Sequence, residues 1–196
     1  MDQIKTENIR NVVLLGHSGS GKTSLAEAIL YSTNTTTRMG KVEEGNTISD
    51  FDPEEQKRHT SLQVKLLPCQ WNNNKINLLD TPGYADFIGE SLSAISVADA
   101  AILVVSAPAG VEVGTEQMWA RLRDKSIPLL IFVNKLDREN ADYTKVLQQI
   151  QTALGRQCVA INAPVGSEAS LSDIVSLISS DVSQHLGETA NKYIDS

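Results

Sequence analysis

Gly16-His17-Ser18-Gly19-Ser20-Gly21-Lys22-Thr23, with Ser24 next, matches the Gly-x-x-x-x-Gly-Lys-Ser/Thr phosphate loop at every fixed position. The apolar run 9–15 before it reads as a buried strand, and residues 22–31 place Leu25, Ala26, Ile29 and Leu30 at helical spacing. Strand, glycine-rich loop and helix is the order this chemistry needs. The glycines let the backbone fold around an anion, so that successive N–H groups and the helix N-terminus point at phosphates. Gly16 and Gly21 mark the turn positions. Lys22 is expected to reach the β- and γ-phosphate oxygens, and the Thr23 hydroxyl to bind magnesium. His17, Ser18, Gly19, Ser20 and Ser24 complete the candidate cradle. A plain glycine-rich turn before a Lys–Thr helix start does not account for eight matched residues behind an apolar strand.

Two further stretches follow in order, Asp80-Thr81-Pro82-Gly83 and Asn134-Lys135-Leu136-Asp137. Asp80 ends the run Ile76-Asn77-Leu78-Leu79, so its carboxylate belongs at a strand end. A hard cation that keeps several waters suits a single carboxylate acting through water. Gly83 offers a backbone N–H that can approach the γ-phosphate with no Cβ in the way. Alone, Asp-Thr-Pro-Gly is an ordinary turn; behind a phosphate loop it is a candidate metal and phosphate contact. Asn134-Lys135-Leu136-Asp137 selects the base. A fixed Asp137 carboxylate can accept from the N1–H and exocyclic amine of guanine, whereas adenine offers no matching donors and leaves the charge poorly paired. The aliphatic stem of Lys135 can lie over the purine.

Around these motifs, strands are expected at 62–69 and 75–79, joined by the turn-forming Trp71-Asn72-Asn73-Asn74, and at 100–105, 129–133 and 158–163. Helices are expected at 85–98, 113–125, 142–154 and 171–186, the last with Leu171, Ile174, Val175 and Ile178 on one face. Residues 32–60 are polar, lack a sustained period and read as a functional switch loop. The alternation predicts an α/β P-loop fold, a mostly parallel sheet flanked by helices on both faces. Ligands of such sheets bind at the carboxyl ends of the strands, where all three motifs lie.

Composition narrows the classes. With 196 residues and 41% hydrophobic content the chain suits one well-buried domain. Its formal charge of −7 argues against broad or sequence-specific nucleic-acid binding by this segment, but not against a triphosphate held by local donors. Cys69 and Cys158 have no paired spacing, which points to a reducing compartment. The N-terminus lacks an apolar signal core, and no apolar run approaches the ~20 residues that span a bilayer. A cytoplasmic monomer without membrane contact is expected.

The chain resembles the GTP-binding domain of elongation factor G and its paralogues among the translational GTPases. The likeness rests on Gly83-Tyr84-Ala85-Asp86-Phe87, on Ala109-Gly110-Val111-Glu112-Val113 with Thr115, Glu116 and Trp119, and on Asn134-Lys135-Leu136-Asp137-Arg138 with Ala141-Asp142-Tyr143. It covers roughly residues 8–180. It implies GTP and GDP as ligands, Mg2+ as the metal and the ribosome as partner of the full-length protein. It also implies slow intrinsic GTP hydrolysis in which Lys22, Gly83 and the residue after Gly83 act on the transferring phosphoryl group.

Departures from the family pattern qualify that picture. Tyr84 stands where the family has a water-positioning histidine, and a phenol of pKa near 10 supplies no imidazolium-like charge near neutrality. Losing about 3 kcal/mol of such stabilisation would slow the chemistry about a hundredfold. Tyr84 is therefore either an alternative water-positioner or a mark of weak catalysis. In Arg58-His59-Thr60-Ser61-Leu62, Ser61 takes the slot of the family's magnesium-binding switch threonine, with Thr60 the competing choice. His59 reads as a solvated loop histidine rather than a substitute imidazole. Gly19 replaces an aspartate that the family usually carries. No Ser-Ala signature for a guanine-contacting loop is found: Asn162-Ala163-Pro164 sits at a strand end without the right residues. Residues 164–168 resemble the start of an inserted subdomain, so 1–163 read as the GTP-binding domain and 164–196 as the beginning of that insertion in a fragment. Two other classes stand beside the GTPase reading, a nucleotide-gated binding switch with little hydrolysis and, more weakly, a P-loop phosphotransferase.

Overall fold

The apolar run before the phosphate loop becomes β1 (Ile9–Leu15), the central strand of a five-stranded sheet in the computed structural model, which describes residues 4–178. The other strands are β2 (Lys65–Trp71), β3 (Asn74–Asp80), β4 (Ala100–Ser106) and β5 (Leu129–Asn134), in the order β2-β3-β1-β4-β5. β1 runs parallel to β3 and β4, while β2 is antiparallel to β3. The expected α/β fold with a mostly parallel sheet is therefore present. Asn72 and Asn73, both at positive φ (45° and 62°), make the two-residue turn between β2 and β3, as the right-handed twist of a hairpin requires.

The helices are α1 (Lys22–Ser32), α2 (Pro53–Arg58), α3 (Ile88–Ser96), α4 (Val113–Lys125) and α5 (Tyr143–Ala153). The chain packs as two units, one of residues Met1–Val105 and Glu112–Phe132, the other of Ser106–Val111 and Val133–Ser196. In the first, α1 lays Ala26 and Leu30 on Leu14, Leu67, Cys69 and Leu78, a cluster closed to water. β2 alternates, with Lys65, Leu67 and Cys69 buried and Leu66 and Pro68 exposed, the period-2 signature of a half-buried edge strand. The buried Cys69 and the part-buried Cys158 are free thiols.

In the second unit, Asp142 caps α5 by accepting from the Lys145 N–H at 3.0 Å. After it, β6 (Asn162–Val165) and β7 (Asp173–Ser176) form an antiparallel hairpin. This corrects two expectations. The strand expected at 158–163 begins only at Asn162, and Asp173–Ser176 is a strand rather than part of a helix over 171–186. Leu171, Ile174, Val175 and Ile178 do carry helical spacing, but pairing of Pro164 with Ile174 and Ala163 with Val175 overrides it. Residues 179–186 of that expected helix lie outside the described residues. Smaller shifts occur elsewhere. The strand expected at 62–69 begins at Lys65, and the helix expected at 85–98 opens with a 3-10 turn, Ala85–Phe87. The 32–60 loop contains a 3-10 turn, Val42–Glu44, and α2, which Asp52 caps and Pro53 starts.

Candidate functional site

The phosphate loop leaves β1 at Leu15 and enters α1 at Lys22. Gly16, Gly19 and Gly21 have φ of 142°, 75° and 98°, so the loop is built from turns that L side chains rarely adopt. At Gly16 the constraint is also steric, since a Cβ would lie 2.4 Å from the Val104 carbonyl oxygen. The His17 carbonyl accepts from the Ser20 N–H at 3.3 Å. His17 Nε2 lies 3.5 Å from a Glu112 carboxylate oxygen, a neighbour that the sequence pattern did not reveal. Ser20 is buried, and Ser24, the last of the expected cradle residues, faces solvent.

Lys22 is buried inside its own loop, where its Nζ donates to the carbonyls of Gly16 (3.1 Å) and His17 (3.0 Å). Burial pushes its pKa down to about 8, with Asp80 and Glu112 pulling the other way. Gly83 lies directly against it: a Cβ there would stand 2.5 Å from Lys22 Nζ and 2.6 Å from Ser18 Cα. The Asp80–Gly83 turn is pinned by Thr81, whose hydroxyl donates to the Leu14 carbonyl at 2.7 Å. Tyr84 follows with its side chain 50% exposed.

Thr23 Oγ1 donates to Asp80 Oδ2 at 2.8 Å, and Ser61 Oγ donates to Asp50 Oδ1 at 2.8 Å. The two hydroxyl oxygens are 3.2 Å apart. The two hydroxyls are themselves within hydrogen-bond distance, so Thr23, Ser61, Asp80 and Asp50 form one chain of hard oxygen donors. Asp80 is fully buried and its Oδ1 finds no hydrogen-bond partner among the described residues. Burial pushes its carboxyl up to about 6, partly offset by the Thr23 hydroxyl and by Lys22. Hard oxygen donors and a carboxylate oxygen without a partner among the described residues fit a small divalent cation such as Mg2+. The residue at this cluster is Ser61, while Thr60 donates its backbone N–H to the Glu55 carbonyl. His59 sits exposed at φ 51° as the C-cap of α2, its Nδ1 2.9 Å from the Val42 carbonyl.

Asp50 was not legible as a site residue. It lies eleven positions before Ser61 in a segment without period, and only the folded loop brings the two together. Glu27 is equally silent in the sequence. Fully buried on α1, it accepts the N–H groups of Gly40 (2.8 Å) and Ile48 (2.6 Å) and so fastens the 33–62 loop to the helix behind the phosphate loop.

The base motif belongs to the second unit. Asn134 ends β5, its carbonyl accepts the Ala107 N–H at 2.8 Å, and its Oδ1 accepts the Lys135 N–H at 2.8 Å. Lys135 has φ 62°, which turns the chain so that Arg138 N–H reaches the Lys135 carbonyl at 3.2 Å. The Asp137 carboxylate is exposed, with Arg138 Nε 3.8 Å away.

Residues 7–193 match the family described as the elongation factor Tu GTP binding domain. The chain belongs to this family. Within it, the chain is 35% identical over 170 residues to elongation factor G 2 of Borreliella afzelii, which covers 87% of this chain and 25% of that protein. It is 37% identical over 164 residues to the mitochondrial ribosome-releasing factor 2 of Meyerozyma guilliermondii, covering 84% and 20%. A crystal structure of a protein from Thermus thermophilus superposes with a TM-score of 0.81 at 40% identity, over 86% of this chain and 25% of that one. The chain thus spans about a quarter or less of the relatives it matches. Within that family it is similar to elongation factor G proteins, and it has the fold that family membership entails.

Proposed function

We propose that this domain binds GTP and GDP with Mg2+ and hydrolyses GTP by water, slowly on its own, and that the ribosome completes the site in the full-length protein. The observation that carries the reading is the meeting of Thr23, Ser61 and Asp80 oxygens beside the buried Lys22. Gly16 to Ser24 wrap the phosphates with backbone N–H groups, and Lys22 turns from its two carbonyls to the β- and γ-phosphate oxygens. Thr23 and Ser61 would hold the metal directly and Asp80 through water. A bound magnesium ion would supply charge neutralisation of the transferring phosphoryl group. Gly83 presents its N–H to the γ-phosphate, and Tyr84 next to it orients the attacking water. Asp137, Asn134 and Lys135 read guanine. Residues 1–163 act as the nucleotide-binding domain and 164–196 open an inserted subdomain. We assign the protein to the cytoplasm as a monomer with no membrane contact. Among the described residues no helix is long and apolar enough to cross a membrane.

The test is single-turnover GTP hydrolysis by the full-length protein with and without ribosomes, with retained nucleotide recorded in the same assay. Strong ribosomal stimulation is the expected result. Retained GTP with no stimulation would replace catalysis by a nucleotide-gated binding switch, and a preference for ATP would sink the guanine assignment.

A further inference from the structure

One residue outside every motif grips the base loop from both sides. The Glu168 N–H donates to the Leu136 carbonyl at 3.0 Å, and Glu168 Oε1 accepts the Asn140 N–H at 2.7 Å. Asp137 therefore rides on a short arc whose two flanks are bonded to the same residue. The support behind Glu168 is itself fixed. It begins a 3-10 turn, Glu168–Ser170, in which Ser167 and Ser170 cap each other reciprocally, and that turn sits between β6 and β7. Gly166, at φ 84°, permits the fold, because a Cβ there would lie 2.1 Å from the Ser170 carbonyl oxygen. Glu168 itself holds φ 48°, a conformation where Gly or Asn is the easier choice. A turn that served only to reverse the chain would gain from losing this side chain. Its carboxylate is instead spent on one backbone N–H of the base loop, a charge-assisted bond.

We propose that Glu168 is a positioning residue for guanine selection, holding the arc 136–140 so that Asp137 meets both donors of the base. The inference rests on the guanine reading of Asn134, Lys135 and Asp137 proposed above. Discrimination depends on where a carboxylate stands, because a displaced acceptor satisfies N1–H or the exocyclic amine but not both. Inosine diphosphate lacks that amine, so the ratio of GDP to inosine diphosphate affinity reads the placement of Asp137 specifically.

The experiment measures both affinities for the 196-residue chain and for Glu168→Ala and Glu168→Gln. Loss of a charge-assisted bond to the loop is expected to weaken GDP about tenfold in Glu168→Ala while inosine diphosphate loses about twofold, so the ratio falls about fivefold. Glu168→Gln keeps an oxygen for the Asn140 N–H and is expected to restore the ratio. In the nucleotide-free protein, amide exchange at Asn140 should rise in Glu168→Ala and not in Glu168→Gln. An unchanged ratio in Glu168→Ala, or equal losses for both nucleotides, overturns the proposal. If Glu168→Ala does not fold, Glu168→Asp, one methylene too short to reach Asn140, takes its place with the same readouts. A parent chain that binds GDP and ADP alike would defeat the guanine reading instead, and Asn140 exchange would still report on the clamp.

Discussion

At Asp80 and Lys22 the protein holds two buried charges whose ordinary pKa values are pulled toward neutrality from opposite sides, to about 6 and about 8. The sign of each consequence follows from linkage. Asp80 titrates higher in the folded chain than its usual 3.8, so its favourable contribution is complete below pH 3.8 and is lost as pH rises through about 6. The metal-free, nucleotide-free domain is therefore expected to lose about 3 kcal/mol of stability from this group between those limits. Urea unfolding in chelator at pH 5 and pH 7.5 samples the upper part of that change, a little under half of it, about 1.4 kcal/mol. Asp80→Asn should flatten that dependence while abolishing any stabilisation by Mg2+, and a slope that survives the substitution would put its origin elsewhere. Lys22 has the opposite sign, since its folded pKa lies below 10.5 and burial penalises its charged form below about 8. A triphosphate placed against the amine favours the charged form. Nucleotide binding at pH 8.5 should take up a fraction of a proton, read by calorimetry in buffers of different ionisation enthalpy. Lys22→Met should show no such uptake.

At the scale of elements, the 33–62 loop is held by carboxylates rather than by an apolar face. Glu27 takes two of its backbone N–H groups, and Glu55 takes those of Leu62 (2.9 Å) and Gln63 (3.3 Å) while pairing with Lys65 at 3.1 Å. A buried carboxylate accepting backbone donors has no sequence period, which is why residues 32–60 read only as a switch loop, whereas β1 and α1 were legible from their apolar residues. The phosphate-loop and base-motif patterns stood out for a different reason, since their fixed spacings of Gly, Lys and Asp are ones that a nucleotide ligand would demand. Asp50, Glu27 and Glu168 act through long-range contacts and carry no such signature. The β6–β7 hairpin escaped notice because its partner strand, not its own pattern, decides the conformation of Ile174 and Val175. Glu27→Ala should leave two N–H groups unpaired, each worth about 1.5–3 kcal/mol to a charged acceptor. Exchange at Gly40 and Ile48 would rise at least about tenfold, and proteolysis within 33–62 would quicken. Unaltered exchange at those two amides would mean that the loop is ordered by something other than Glu27.

On the whole-molecule scale, the phosphate loop and the base motif belong to different units, between which the chain crosses three times, at 105–106, 111–112 and 132–133. If one guanine nucleotide engages both motifs, as proposed above, its binding free energy stabilises both units together. A ligand that binds only the folded chain stabilises it by RT ln(1 + [L]/Kd), about 2.7 kcal/mol at a hundredfold excess over Kd. For a chain of this size that corresponds to a rise of about 5–10 °C in Tm. Mg2+ with GDP should produce such a rise and Mg2+ with ADP little, and the distribution of protection carries the sharper information. Pyrophosphate with Mg2+ offers phosphates without a base, so it should slow amide exchange at residues 16–24 and leave 134–137 untouched. GDP with Mg2+ should slow both. Protection confined to 16–24 with either ligand would mean that phosphate binding stands alone in this chain, and that Asn134, Lys135 and Asp137 are spectators to it.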